Sequence, residues 1–533
     1  MWSQNYTPVA ASLPLSALIA AIPIFVLLYL LGVARKPSWI ASLAGLASAL
    51  AVALFAYGMP AGLALSSALY GAANGMLPIG WIVFTAILLY RLTVETGKFE
   101  IIKDSVASLT GDQRVLALLI AFAFGAFIEG ASGFGTPVAV AAAMLTGLGF
   151  QPFYAAAICL LANTAPVAFG SIGTPLIMLQ TVTGLPIMSL SANVGRICAP
   201  VSLFIPAYIM LVMGGRKALR AVFPAALVCG VGFASAQFFV SSNLGPYLTD
   251  ILGSMVAMGA LVLLLRFWKP ADSVAATPHA HTARRVLLGW MPYLWLVVFV
   301  LLWGNDAVKA VLNQATIVFG WPGLHNQILR IAPVVAKPSP YGASYSLNLL
   351  SASGTSCLFA VFASAIVLGV SPARLARFTA TTANQLALPL LTIASVVGLA
   401  YVMNYSGATA TLGLVIAGTG SLFPFFSALL GWLGVFLTGS DTSANALFGA
   451  LQTITAVRLH LNPALMAAAN SSGGVMGKMI SLQSIAVAAA ATGMKAEDEG
   501  KLFRFTLKHS VFMATVIGLI TLFYAYVMPG WVK

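Results

Sequence analysis

The chain has 533 residues, 60% of them hydrophobic and 7% charged, with a formal net charge of +14 and a mean hydropathy of +0.97. Soluble domains carry about 25% charged residues, so a water-soluble fold is excluded, and the apolar sequence suffices for roughly a dozen membrane spans of about 20 residues each. The positive charge does not imply nucleic-acid binding, because Lys and Arg in a membrane protein distribute among loops according to orientation.

In chain order, a first span is predicted over 13–34, followed by Arg35 and Lys36. It is too long for a cleavable signal peptide and lacks the basic n-region. Spans over 38–57 and 75–90 come next, then a charged loop over 91–114 holding Lys98 and Lys103. A broken segment at 127–175 follows. Apolar runs at 194–213, 222–240 and 247–265 complete the first half, with Arg216, Lys217 and Arg220 between the first two. The polar stretch 269–286 reads as a linker. Its His279 and His281 allow metal binding, but a hydrophilic linker is the simpler reading.

The second half, 287–533, opens with a span over 287–303 and an amphipathic loop over 305–345. Spans over 350–368, 385–403 and 409–426 precede a second broken segment at 439–478, and the last span is 510–528. The fold class is therefore an all-α polytopic membrane protein with about 12–14 transmembrane helices. Placing the basic loops in the cytoplasm, among them Arg374, Arg377 and Lys495 to Lys508, makes 269–286 cytoplasmic and leaves both termini periplasmic.

The two broken segments carry the polar chemistry. The first contains Phe-Ile-Glu-Gly-Ala-Ser-Gly-Phe-Gly-Thr-Pro from Phe127, Ala-Asn-Thr-Ala-Pro from Ala162 and Gly-Ser-Ile-Gly-Thr-Pro from Gly170. The second contains Gly-Ser-Asp-Thr-Ser-Ala-Asn from Gly439 and Ala-Asn-Ser-Ser-Gly-Gly-Val-Met-Gly-Lys from Ala469. Non-helical backbone persists at membrane depth only where protein buries it or where it lines a wet cavity. Paired interruptions of this kind point to a transporter's binding site.

Thr136-Pro137 and Thr174-Pro175 read as helix starts, a capping hydroxyl followed by proline at the first turn. Asp441/Thr442 and Ser471/Ser472 read likewise. Helix starts aim free N–H groups and partial positive charge at one point, which favours an anion. Ser132, Thr136, Thr164, Ser440, Thr442, Ser471 and Ser472, with the backbone beside them, are the candidate carboxylate-binding groups. Asn163 and Asn470 can donate and accept at once, as a hydroxy acid requires, or serve helix packing. Lys478 binds the carboxylate directly or pairs with Asp441. Glu129 and Asp441 read as the only acids with long apolar sequence before them and no neighbouring charge run, and either is a candidate to carry a coupling proton.

Other chemistry is not signalled. Cys159, Cys198, Cys229 and Cys357 lack metal-ligand spacing and read as small buried hydrophobes. The glycines from Gly130 to Gly135 lack the strand and lysine of a nucleotide loop. No cofactor or metal is called for.

At the quoted motifs, together with Asn348-Leu-Leu-Ser-Ala-Ser-Gly-Thr, the chain resembles the lactate permease family over nearly its whole length. The resemblance implies two pseudo-symmetric halves, 1–268 and 287–533, in an inverted repeat with paired hairpins. It also implies a bacterial inner-membrane symporter that carries L-lactate, and often D-lactate or glycolate, with a proton. One departure is Leu482, where many relatives are expected to carry proline. The partners are then a small 2-hydroxy monocarboxylate, a proton and membrane lipid. A sodium-coupled carboxylate carrier is the alternative within transport. A passive channel fits less well, and for a membrane-embedded enzyme no catalytic motif is present.

Overall fold

Backbone N–H and C=O groups find no water in hydrocarbon, so a chain this apolar satisfies them within helices. The computed structural model describes residues 1–34, 36–133, 135–271, 281–335, 337–494 and 496–532, and these are overwhelmingly helical. Among them eleven helices are long and apolar enough to cross a membrane, or twelve if the pair Pro152–Ala162 and Val167–Thr183, bent by 62°, counts as one span. The shorter apolar helices Thr136–Gly147 and Ser353–Val367 bring the total within the predicted range.

The first half begins with α1 (Leu13–Gly32), α2 (Ser38–Ala51), α3 (Ala61–Asn74), α4 (Trp81–Glu95) and α5 (Lys98–Ala107). Helix α3 has no counterpart in the predicted spans, because its small and polar residues dilute the apolar signal. They serve packing instead: a Cβ at Gly71 would lie 2.7 Å from the Val397 carbonyl oxygen. Helix α6 (Gln113–Leu116) continues through a π-helical stretch into α7 (Gly125–Ala131). This span is 94% buried inside the protein, against 33% for the first span, so it lies in the middle of the bundle. The chain then turns into α8 (Thr136–Gly147), α9 (Pro152–Ala162) and α10 (Gly170–Thr183).

Helix α11 (Ile187–Asn243) has 57 residues. At 1.5 Å each it would be about 85 Å long, nearly three times the hydrocarbon thickness. Non-helical backbone at Gly214, Gly215 and Val222 divides it into two crossings, in line with the predicted apolar runs. Helix α12 (Thr249–Phe267) closes this half. Of the predicted linker, 272–280 with His279 lies outside the described residues, as do Arg35 and Lys495 of the basic loops. His281 pairs with Asp104 at 3.0 Å.

The second half starts with α13 (Ala283–Gly304) and α14 (Asp306–Asn313). The predicted amphipathic loop is a small β cap. Strand β1 (Trp2–Ser3) pairs parallel with β3 (Ile328–Arg330), which pairs with β4 (Ser339–Pro340); β2 (Ile317–Gly320) pairs with β5 (Ser344–Leu347). Under it, Tyr70 packs against Trp321 and Tyr401 with ring centroids 5.3 and 5.2 Å away. Then follow α15 (Ser353–Val367), α16 (Pro372–Ser406), α17 (Ala408–Ile416), α18 (Phe423–Thr438), α19 (Asp441–Arg458), α20 (Pro463–Lys478), α21 (Leu482–Thr492) and α22 (Ala496–Tyr526).

The Ser471–Lys478 region corrects one expectation. Ser471, Ser472 and the glycines after them do not start a helix; they lie inside continuous α20. The glycines are a packing face. A Cβ at Gly473 would overlap the Ala428 carbonyl, and one at Gly477 the Trp432 carbonyl, both on α18. Small residues let membrane helices approach closely, where apolar burial alone gives no drive to associate. The break comes after Lys478. Helix α21 begins at Leu482, capped by Ser481, whose hydroxyl accepts from the Ser484 N–H at 3.2 Å. Proline would suit that first helical position, and a capping serine makes it dispensable.

Candidate functional site

Four backbone interruptions meet in the interior: the turn between α7 and α8, the bend between α9 and α10, the turn between α18 and α19, and the break between α20 and α21. A cavity of about 60 Å³ lies among them, room for about four or five waters and the scale of a small organic acid. Its lining includes Glu129, Ser171, Ser440, Asp441, Thr442 and Lys478. The two broken segments, whose acids Glu129 and Asp441 stand 312 positions apart in sequence, therefore share one cavity.

The α10 wall is built on unusual backbone. Ser171, Ile172 and Gly173 have φ of 47°, 55° and 74°, a left-handed turn before the helix proper. Left-handed backbone costs roughly 1–2 kcal/mol for each residue that carries a Cβ, and such strain clusters at functional sites. The turn exposes the start of α10 to the cavity. The starts of α19 and α21 reach the same space through Ser440, Asp441, Thr442 and Gln483. Three helix N-termini at one cavity bring free N–H groups and partial positive charge there, which favours an anion.

The capping details differ from the sequence reading. Thr136 is the first residue of α8, and the cap position belongs to Gly135 in a left-handed conformation. Thr174 caps nothing: its hydroxyl donates to the Ser171 carbonyl at 2.6 Å. For α19 the cap is Ser440, which accepts from the Ser443 N–H at 3.3 Å, and Asp441 is the first helical residue. Asp441 is thereby free to act at the cavity.

Glu129 is 4% exposed. Its Oε2 accepts from Asn163 Nδ2 at 2.9 Å, and its Oε1 rests on Gly170, where a Cβ would come within 2.5 Å. Only glycine at 170 leaves space for that carboxylate. Asp441 is 3% exposed. Its Oδ2 accepts from Ser471 Oγ at 2.6 Å and from Asn445 Nδ2 at 3.4 Å. Its Oδ1 lies against Gly474 without a hydrogen-bond partner among the described residues. The Lys478 ammonium donates to the Gly439 carbonyl at 2.6 Å. It thus stands at the turn between α18 and α19, in the same cavity as both carboxyls.

The other predicted residues stand behind the lining. Ser132 donates to the Ile128 carbonyl at 3.0 Å and Thr164 to the Leu161 carbonyl at 2.7 Å. Thr136 opens α8 at the hairpin tip. Asn470 is the middle of a chain of amides: it accepts from Gln452 at 3.0 Å and donates to Asn445 Oδ1 at 2.9 Å. Ser472 is fully buried in α20. The sequence reading passed over Asn445, whose position one helical turn after Asp441 was available as a signal. It also passed over Asp250, 1% exposed in the first turn of α12, an acid opening the predicted apolar run 247–265.

A family profile described as L-lactate permease matches residues 16–528. The chain is 48% identical to the L-lactate permease of Bacillus subtilis (strain 168), with 98% of each chain covered. It is 45% identical to the glycolate permease GlcA of Escherichia coli (strain K12) and 43% identical to the L-lactate permease of the same strain, with 99% of each chain covered in both cases.

Proposed function

The chain belongs to the L-lactate permease family, and from that premise we propose that it imports L-lactate, with D-lactate and glycolate as further substrates, in symport with a proton across the bacterial inner membrane. The observation that carries this reading is one small cavity where the buried side chains of Glu129, Asp441 and Lys478 converge with three helix N-termini. With both acids ionised the three side chains sum to one negative charge, which repels an anionic substrate. One proton brings the sum to zero, and Lys478 and the helix starts then hold the substrate carboxylate. Proton and substrate favour each other, and because their charges cancel, loading both adds no net charge to the site that has to be carried through the membrane.

Lys478, Ser440, Thr442 and the N–H groups starting α10 and α19 bind the carboxylate. Asn163 orients Glu129 and Ser471 orients Asp441. Ser132, Thr136, Thr164, Asn470 and Ser472 shape the backbone around them. The two halves, 1–268 and 287–533, form an inverted repeat, each contributing a hairpin and a broken helix. The linker 269–286 and the basic loops lie in the cytoplasm, so the termini and the β cap face the periplasm.

The test is uptake into liposomes holding the purified protein. An inward pH gradient in sodium-free buffer drives L-lactate accumulation, and Asp441→Asn abolishes accumulation. Accumulation that requires a sodium gradient instead, or a normal pH dependence in D441N, overturns the proton-symport reading.

A further inference from the structure

Asp250 is an acid for which the cavity chemistry above has no use. It is 1% exposed, in the first turn of α12, and neither carboxylate oxygen has a hydrogen-bond partner among the described residues. Acids inside a membrane are rare and mark proton or ion pathways. An ionised carboxylate without donors is heavily penalised in such a place, whereas a neutral carboxyl is penalised far less.

Its position joins it to the cavity wall. A Cβ at Gly130, the residue after Glu129, would lie 2.8 Å from Asp250 Cβ. A Cβ at Gly173, in the left-handed turn of the wall, would lie 2.9 Å from Pro246 Cβ in the loop that leads into α12. That loop leaves α11 at the surface, where Asn243, the last residue of the helix, and Leu244 are both exposed. Asp250 therefore lies between an exposed connection and Glu129. Among the described residues, the ionisable groups that bear on it from the packed helices are Glu129 on α7 and the Cys198 thiol on α11, which is also within electrostatic reach of Asp441.

We propose that Asp250 is a second proton-holding group of the carrier, on the route between the surface at Asn243–Leu244 and Glu129. The O–H bond of Asp250 breaks as one forms on the Glu129 carboxylate, and Asp250 regains a proton from water at that surface. The arrangement rests on the proton-symport reading, and adds a relay that the cavity lining alone does not contain.

The experiment compares full-length wild type, Asp250→Asn and Asp250→Glu in liposomes, with radiolabelled L-lactate as the probe. The expected result for D250N is lactate exchange within about twofold of wild type at equal pH on both sides, with pH-gradient-driven accumulation reduced at least tenfold. D250E restores accumulation, with its pH midpoint displaced. Wild-type accumulation in D250N overturns the proposal, and so does loss of exchange together with accumulation, which marks a structural role. If D250N does not fold, D250E decides: a displaced pH midpoint supports the relay and a superimposable profile overturns it. Wild type failing to respond to a pH gradient would remove proton symport itself, whereas a responsive wild type with an unaffected D250N removes only the relay.

Discussion

The Asn445 side-chain amide donates to the main-chain carbonyl of Pro175 at 3.1 Å, a hydrogen bond that ties α19 of the second half to the start of α10 in the first. The same nitrogen lies 3.1 Å from Ser471 Oγ and 3.4 Å from Asp441 Oδ2. A change at the Asp441 carboxyl is thus one side chain away from the seam between the halves.

Asn445→Ala strips a donor from the Pro175 carbonyl and from Asp441 in a fully buried setting. Leaving such groups unpaired costs about 1–3 kcal/mol. Transport is expected to lose affinity by about 5- to 150-fold, with a lowered melting temperature. Substrate-dependent thermal shift in detergent measures both. An unchanged affinity would show that the seam does not communicate with the cavity.

Lys478→Met keeps the length of the side chain while removing its charge and its bond to Gly439. Hydrogen bonds to charged groups are worth about 1.5–3 kcal/mol, so L-lactate affinity is expected to fall by about ten- to a hundredfold. Lys478→Arg should not restore it, because a planar guanidinium replaces a compact ammonium in a buried turn. Calorimetric titration of the purified variants checks both statements.

Gly431→Ala places a methyl group into the Asn470 carbonyl at the contact between α18 and α20. Overpacking of this kind costs typically about 1–3 kcal/mol, and more where backbone must move. Gly418→Ala, with nothing within 4 Å of the new Cβ, should stay within about 0.5 kcal/mol of wild type. Thermal unfolding of the two variants side by side gives the comparison, and equal melting temperatures would deny the close packing.

At the edge of the buried span, Asp112 caps α6 and receives Arg114 Nη2 at 2.6 Å. Burial works to raise its pKa, but the hydrogen bonds and charge of Arg114 and the Val115 N–H outweigh it, so the pKa lies below the ordinary 3.8. A depressed carboxyl pKa means stability that is present above the unfolded value and lost as pH falls through the folded one. Asp112→Asn should therefore melt below wild type at neutral pH, with the gap closing below pH 3.8. A gap that does not change with pH would count against the ion pair.

Much of the architecture was legible in the sequence because its cause is local. Hydropathy marks a span wherever about 20 apolar residues follow one another, and the division of α11 was visible as two runs separated by Arg216, Lys217 and Arg220. Helix α3 escaped because residues chosen for close packing are not strongly apolar. The glycines at 473–477 misled for the same reason: in sequence they look like a broken backbone, while in space they are a helix face that fits α18.

By itself the sequence determined a helical membrane protein with two polar interruptions, since hydrocarbon forces each segment to satisfy its own backbone wherever it lies in the chain. It also singled out Glu129, Asp441 and Lys478, because a charge in apolar sequence stands out without any partner. Only the tertiary structure decided that these three share a cavity, that Asn445 reaches Pro175 across 270 positions, and that Asp250 stands behind Glu129. Those relations depend on which helix faces meet, and that is set by packing over distances no local pattern records.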